Sequence, residues 1–311
     1  MALLNPPEIL PPLIRSVVEA AAASDRPVDD DRLIELLSPG EDGQDGSIGR
    51  DGKPHVRYCH DAALMLGLLE KANGGSVPTE IARTAMSRGS LRPAWPQVLR
   101  QVVFEHESAS QAVVEALEED SRGVRDLLFA LTWFLAQDAF GAPLAWEPQD
   151  RYVSFQTLQR GHFGTVTRRF PVQNDTRFGS FARWSLHLGL ARSDELGNRA
   201  LRPAPVPAAR DVVRSMEPGR YEVHTFCSIL SDSLPCLWPG DLRRQLVEWI
   251  GADPDPDVAS DGIDSSTAMV LVTLEADGML RMDNLADASE RGTLAPRSQQ
   301  PRTVTHVEVL T

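Results

Sequence analysis

The side chains best suited to hold a metal or attack a substrate are seven histidines and three cysteines, and their spacing supplies neither chemistry. His55, His60, His106, His162, His187, His224 and His306 contain no HExxH pair, the arrangement that sets two imidazoles on one helix face around zinc. Cys59, Cys227 and Cys236 form no CxxC. Cys227 falls in an apolar helix and Cys236 precedes Leu237-Trp238, so both read as buried structural thiols, and an odd number makes a poor disulfide framework. The phosphate-cradling GxxxxGK[ST] and GxGxxG loops and the GxSxG nucleophile turn do not occur. Asp42, Asp45 and Asp51 lie in a glycine-rich loop without calcium-loop spacing. His162 with Arg160, Arg168 and Arg169 has the residue types of a phosphodiester-cleaving site, but a solvated basic loop explains the same composition more simply. No cofactor or metal is expected, and an enzyme reading has no constellation behind it.

Arginines offer the remaining chemistry, contact with anions. The chain carries a net charge of −13, yet residues 151–200 hold eight arginines against three acids, while 101–150 hold two against ten and 251–311 four against eleven. Attraction to phosphate acts within a Debye length of ~8 Å at physiological salt, so a local basic face on an acidic protein can still meet DNA. Only Lys53 and Lys71 are lysine, which reads as coding bias.

The element that would position these arginines runs from Asn174 to Pro203. At ~3.6 residues per turn, Phe178, Phe181, Ala182, Trp184, Ser185 and Leu188 fall on one side and Thr176, Ser180, Arg183 and His187 on the other. Asn174 or Asp175 supplies an N-cap and Gly189 a left-handed stop. Leu190 to Arg192, a polar turn with Gly197, and Arg199 to Leu201 then read as a strand, a loop and a returning strand. That grammar is the closing half of a winged helix. Its DNA-contact candidates are Arg168 and Arg169 in the approach, Arg177, Ser180, Arg183 and His187 on the helix, and Arg192 and Arg199 on the wing.

A second copy aligns without gaps: Leu64, Leu66, Gly67, Leu68 and Gly75 match Leu186, Leu188, Gly189, Leu190 and Gly197. The expected fold is mainly α with small β-wings (α+β), as tandem winged-helix repeats joined by helices. Residues 1–90 form the first winged helix, with an amphipathic stripe through Leu10, Leu13, Ile14, Val17, Val18 and Ala21, a short helix opened by Asp29 to Asp31, a third helix from Tyr58 to Leu66, and a wing from Leu68 to Ile81. Residues 91–121 form a helical connector, with helices at Trp95 to His106 and Ser110 to Glu118. Residues 122–205 form the second winged helix, opening on the apolar helix Val124 to Ala136 and continuing with a helix from Val153 to Gln159. The proline-rich run Leu201 to Ala208 suits an interdomain linker. Residues 206–311, with helices at Tyr221 to Leu230, Asp241 to Ile250 and Ser265 to Ala276, follow a similar grammar, and Leu285 to Pro301 reads as a mobile wing tip. The longest apolar run is too short to span a bilayer and no signal peptide is visible, so a cytoplasmic home and no membrane partner are expected.

Two functions fit these residues. One is a DNA-reading subunit whose third helix enters the major groove while Arg192 and Arg199 reach phosphate, including the case of a free-standing transcriptional regulator. The other is an assembly subunit whose acidic faces meet a basic protein. The opening LLNPPEILPPLIRSVVEAAAASDRPVDDDRLIELLSP, together with RFGSFARWSLHLGLA, resembles the DpdG proteins. They accompany helicase-like and phospholipase-D-like proteins in bacterial phage-defence islands that place 7-deazaguanine derivatives in DNA. The resemblance implies a restriction accessory protein that acts with helicase or nuclease partners, and it transfers no functional residue.

Overall fold

The fold is that of a computed structural model describing residues 1–24, 26–38, 52–87, 91–107, 109–110, 112–113, 123–147, 151–164, 170–194, 200–255, 262–286, 288, 291–294 and 301–310. Helix α1 (Pro11–Ala22) buries Ile14, Val17, Val18 and Ala21 on one face and places its prolines in the first turn, where a missing amide costs nothing. In α2 (Asp30–Leu37), the Asp29 carboxylate accepts from the Arg32 amide at 3.0 Å, and Asp30 and Asp31 sit at the positive end of the helix dipole. Helix α3 (Gly52–Met65) leads into a hairpin of β1 (Leu69–Ala72) and β2 (Gly75–Pro78), closed by the two-residue Asn73-Gly74 turn that suits strand twist. Helices α4 (Glu80–Met86) and α5 (Leu91–Phe104) follow.

The next segment opens on α6 (Arg125–Leu135), buried at every position from Asp126 to Leu135. It continues through β3 (Leu144–Ala145), β4 (Val153–Ser154), α7 (Phe155–Phe163), α8 (Asp175–His187), β5 (Ala191–Ser193) and β6 (Ala200–Pro203). The last segment contains α9 (Val206–Val213), β7 (Gly219–Glu222), α10 (Val223–Ser233), α11 (Asp241–Ile250), α12 (Ser265–Ala276), β8 (Leu280–Asp283), β9 (Gly292–Leu294), β10 (Arg302–Val304) and β11 (His306–Val309).

One junction occurs three times. After α3, α8 and α12 the chain turns at Gly67, Gly189 and Gly278, with φ of 65°, 69° and 72°. The next amide reaches back across the cap in each case, Leu68 to Ala63 O at 2.9 Å, Leu190 to Ser185 O at 3.0 Å and Met279 to Leu274 O at 2.9 Å. This is the six-to-one closure of a Schellman cap. The returning strand then closes on the same residue: Thr79 N donates to Leu68 O, Ala204 N to Leu190 O and Leu310 N to Met279 O, at 3.1, 3.1 and 3.0 Å. A further strand joins the second hairpin strand each time, through the Val28–Ser76 bridge, the β3–β6 pair and the β7–β11 pair. The recurring order is helix, strand, helix, helix, glycine, hairpin, with α11 inserted in the last copy.

Several boundaries differ from expectation. Leu201 to Ala208 is no linker: it holds β6 and the start of α9, and Leu201, Pro203 and Ala208 are buried. Ile81 belongs to α4 rather than to the first wing. Helix α3 begins six residues before Tyr58, α7 begins at Phe155 after a short strand, and Tyr221 lies in β7. Within Leu285 to Pro301, β9 pairs antiparallel with β10. Gly197 and most of the expected Ser110–Glu118 helix lie outside the described residues. The second hairpin pairs Ala191 with Pro203 where the first pairs Leu69 with Pro78, so more residues separate its paired ends and the ungapped match ends at the cap.

Most buried apolar residues from Leu3 to Val309 form one connected cluster, with Ala145, Tyr152 and Ala200 in a small separate one. Helix α6 is at its centre: Trp133 meets Phe155 edge-on at 4.8 Å, Phe134 meets Phe181 at 5.3 Å, and Phe129 meets Trp249 of α11 at 5.7 Å. Edge-to-face contacts at these separations add to the burial of the rings.

Candidate nucleic-acid interface

Helix α8 carries the expected interface, and its N-cap is Asn174, whose side-chain oxygen accepts from the Arg177 amide at 2.9 Å. Phe178, Phe181, Ala182, Trp184, Ser185 and Leu188 are buried, as the helical spacing requires. The opposite face is not free. Ser180 is fully buried, a correction to its place among exposed polar residues, because α8 is covered on more than one side. Its hydroxyl has no hydrogen-bond partner among the described residues. Arg183, expected to be exposed, is half-buried and donates from Nη2 to the Pro7 carbonyl at 2.9 Å. Burial pushes its pKa below the usual guanidinium range, against the pull of Glu8. His187 is half-buried and donates from Nδ1 to the Arg183 carbonyl at 2.8 Å.

The remaining candidates are dispersed. Arg177 is half-buried in the first turn of α8, within electrostatic reach of Asp126. Arg192 is exposed on β5. Arg168, Arg169 and Arg199 lie outside the described residues. What the structure gathers is Arg183 and His187 with Arg15 of α1, around a cleft of about 390 Å³ whose apolar wall is Leu10, Pro12 and Leu13. Arg15 escaped the sequence reading because no local pattern joins α1 to α8 across more than 160 residues.

Two further residues fix this region. The Asp126 carboxylate accepts from the Leu4 and Leu127 amides, both at 2.8 Å, and so pins the N-terminal segment to α6. Burial pushes its pKa up to about 6 despite those donors. Arg100 of α5 is buried, donates to the Leu188 carbonyl at 2.8 Å, and pairs with Asp211 of α9. A cation at the carboxyl end of α8 complements its dipole.

Residue types for nucleophilic catalysis do meet in the first segment. His60 Nε2 lies 3.0 Å from Ser76 Oγ, and Nδ1 lies 3.5 Å from Asp61. The polarity is opposite to that of an activated serine: the hydroxyl donates its one proton to Asp30 at 2.7 Å, so His60 Nε2 donates to the hydroxyl instead of accepting from it. Ser76 is fully buried, and its backbone pairs with Val28. His162 Nδ1 accepts from the Trp133 indole at 3.0 Å. The three cysteines are buried free thiols, with Cys59 and Cys236 pushed by burial up to about 11 and about 12. Among the described residues no cluster of His, Cys, Asp and Glu is placed to hold a metal ion. No described helix is long and apolar enough to cross a membrane.

No curated protein and no solved structure matches the chain. A protein-family match does, described as DpdG-like and extending over residues 1–288, which takes in the N-terminal segment, the α1/α8 cleft and all three capping glycines, Gly67, Gly189 and Gly278. With that match spanning most of its length, the chain belongs to the DpdG-like family.

Proposed function

We propose that the chain is a non-catalytic assembly subunit of a bacterial anti-phage, DNA-restricting system. It is built from three winged helices at residues 1–90, 122–205 and 206–311, with 91–121 as a helical connector. The recurring cap and hairpin order supports the winged-helix reading, and membership of the DpdG-like family supports the defence setting. Helicase-like or nuclease-like proteins are the partners this reading expects.

The observation that carries assembly over groove reading is the state of the third helices. A reading helix must offer a free row of side chains to base edges. On α8, Ser180 is buried and Arg183 is tied to Pro7. On α3, the exposed Arg57 pairs with Asp31 at 3.1 Å. Helix α12 contains no arginine or lysine. A weaker, sequence-independent DNA contact is favoured by Arg160, Arg177 and Arg192, which form no ion pair with another described residue. Such a contact would be made to phosphate.

The test is the affinity of the purified chain for duplex DNA against salt, with and without a co-purified partner. The expected Kd for the chain alone is on the order of 10⁻⁴ to 10⁻⁶ M at physiological salt, weakening steeply as salt rises. A partner that adds a second contact should tighten it by ~10²–10⁴ through avidity. Tight, sequence-specific binding by the isolated monomer would instead establish a free-standing regulator.

A further inference from the structure

We propose that the cleft between α1 and α8 docks an acidic peptide segment of a partner protein, with a carboxylate against Arg183 and a flanking apolar side chain on Leu10 and Leu13. This rests on the assembly reading and names the chemistry of the partner.

Arg183 is the reason. A guanidinium has five N–H donors in a planar fork; here one is given to the Pro7 carbonyl, and the buried Nε has no hydrogen-bond partner among the described residues. Half-burial removes water from the guanidinium, and among the described residues the Pro7 carbonyl alone replaces it as a hydrogen-bond acceptor, an arrangement that costs free energy until a further acceptor arrives. A carboxylate matches the outer end of the fork, accepting two parallel bonds from Nη1 and the second Nη2 proton, whereas Nε is itself buried. Among the described residues, no acid of the chain takes that place. Glu8 acts on Arg183 only at electrostatic range, and Glu19 lies 3.7 Å from Arg15 on their shared helix. Arg15 lines the same cleft and adds a second guanidinium.

The wall decides between a peptide and nucleic acid. Leu10, Pro12 and Leu13 give the cleft an apolar surface, which a phosphodiester does not use and an apolar residue beside Asp or Glu does. The first turn of α1 also lacks the free amides of a phosphate-binding helix start. Pro11 and Pro12 have no N–H, and the Leu13 and Ile14 amides both donate to the Leu10 carbonyl, at 2.9 and 3.0 Å.

The experiment selects a displayed random heptapeptide library on the immobilised full chain and counter-selects on Arg183→Gln. Enriched peptides are expected to carry Asp or Glu beside Leu, Ile or Phe. The leading peptide, synthesised, should bind Arg183→Gln at least ~10-fold more weakly, the worth of one charge-assisted hydrogen bond. Arg15→Gln and Arg183→Lys should give intermediate losses, and Glu8→Gln should bind more tightly because a competing carboxylate is gone. Thermal unfolding of each variant separates lost binding from lost fold. Enrichment of no Arg183-dependent peptide, enrichment of peptides without acids, or displacement of the peptide by a short DNA duplex would overturn the proposal. If Arg183→Gln still co-purifies with a partner, the cleft assignment fails and the assembly reading stands. If the unaltered chain recovers no partner, the assembly reading itself fails.

Discussion

At the residue scale, the fully buried Asp126 gives the clearest link between burial and behaviour. Its carboxyl is raised from an ordinary value of 3.8 to about 6, with desolvation as the largest cause. A raised acid holds its proton longer in the folded chain than in the unfolded one, so its contribution to stability falls as pH rises between those two values. The shift corresponds to a term on the order of 3 kcal/mol. Asp126→Asn removes the titration, although it keeps only one acceptor for the Leu4 and Leu127 amides. Relative to the unaltered chain, the variant should therefore gain stability as pH rises from 4 to 7, as read by denaturant unfolding at each pH. A constant difference would show that Asp126 does not titrate in this range. The neighbouring pair on α8 divides differently. Trp184 is fully buried, so Trp184→Ala should cost ~3–5 kcal/mol by leaving a cavity. Arg183→Gln should cost ~1–2 kcal/mol, because Arg183 donates to Pro7 rather than lying free. Equal losses in the two variants would contradict this division.

At the element scale, the three capped junctions make a graded prediction. Gly67, Gly189 and Gly278 all adopt the left-handed conformation, which costs a residue with a Cβ roughly 1–2 kcal/mol. At Gly67 and Gly278 a Cβ would meet nothing within 4 Å, whereas at Gly189 it would lie 3.2 Å from Pro207 Cβ and 3.4 Å from Arg100 Nη1. Thermal melts should place Gly189→Ala below Gly67→Ala and Gly278→Ala, with the latter two alike. A reversed order would mean that the caps are not equivalent. These junctions also mark what was legible in the sequence. The apolar stripes of α1 and α8, the Asn174 cap and the first two glycines follow from local periodicity and backbone sterics. The third junction keeps its glycine and the helix-to-strand grammar but shares no leucine pattern, and the matching cap hydrogen bonds come from the structure. The proline-rich run Leu201 to Ala208 misled because proline is tolerated both at the end of a strand, where Pro203 lies beyond the pairing of β6 with β3, and at a helix start, where Pro205 and Pro207 open α9. The candidate site was half legible: α8 was found, but the face that bears Arg183 and Ser180 is covered by contacts no local pattern encodes.

At the scale of the whole molecule, one apolar cluster joins all three segments, and the chain is acidic, with a net charge of −13. That architecture holds α3, α8 and α12 against other elements of the same chain, in keeping with the assembly role proposed above. The most direct test is the native mass of the particle recovered when the tagged chain is gently isolated from its own cell. The account predicts a discrete heteromeric complex, heavier than the 34.1 kDa chain and containing a helicase-like or nuclease-like protein. Recovery of the chain only as a free monomer or as a homo-oligomer would contradict it.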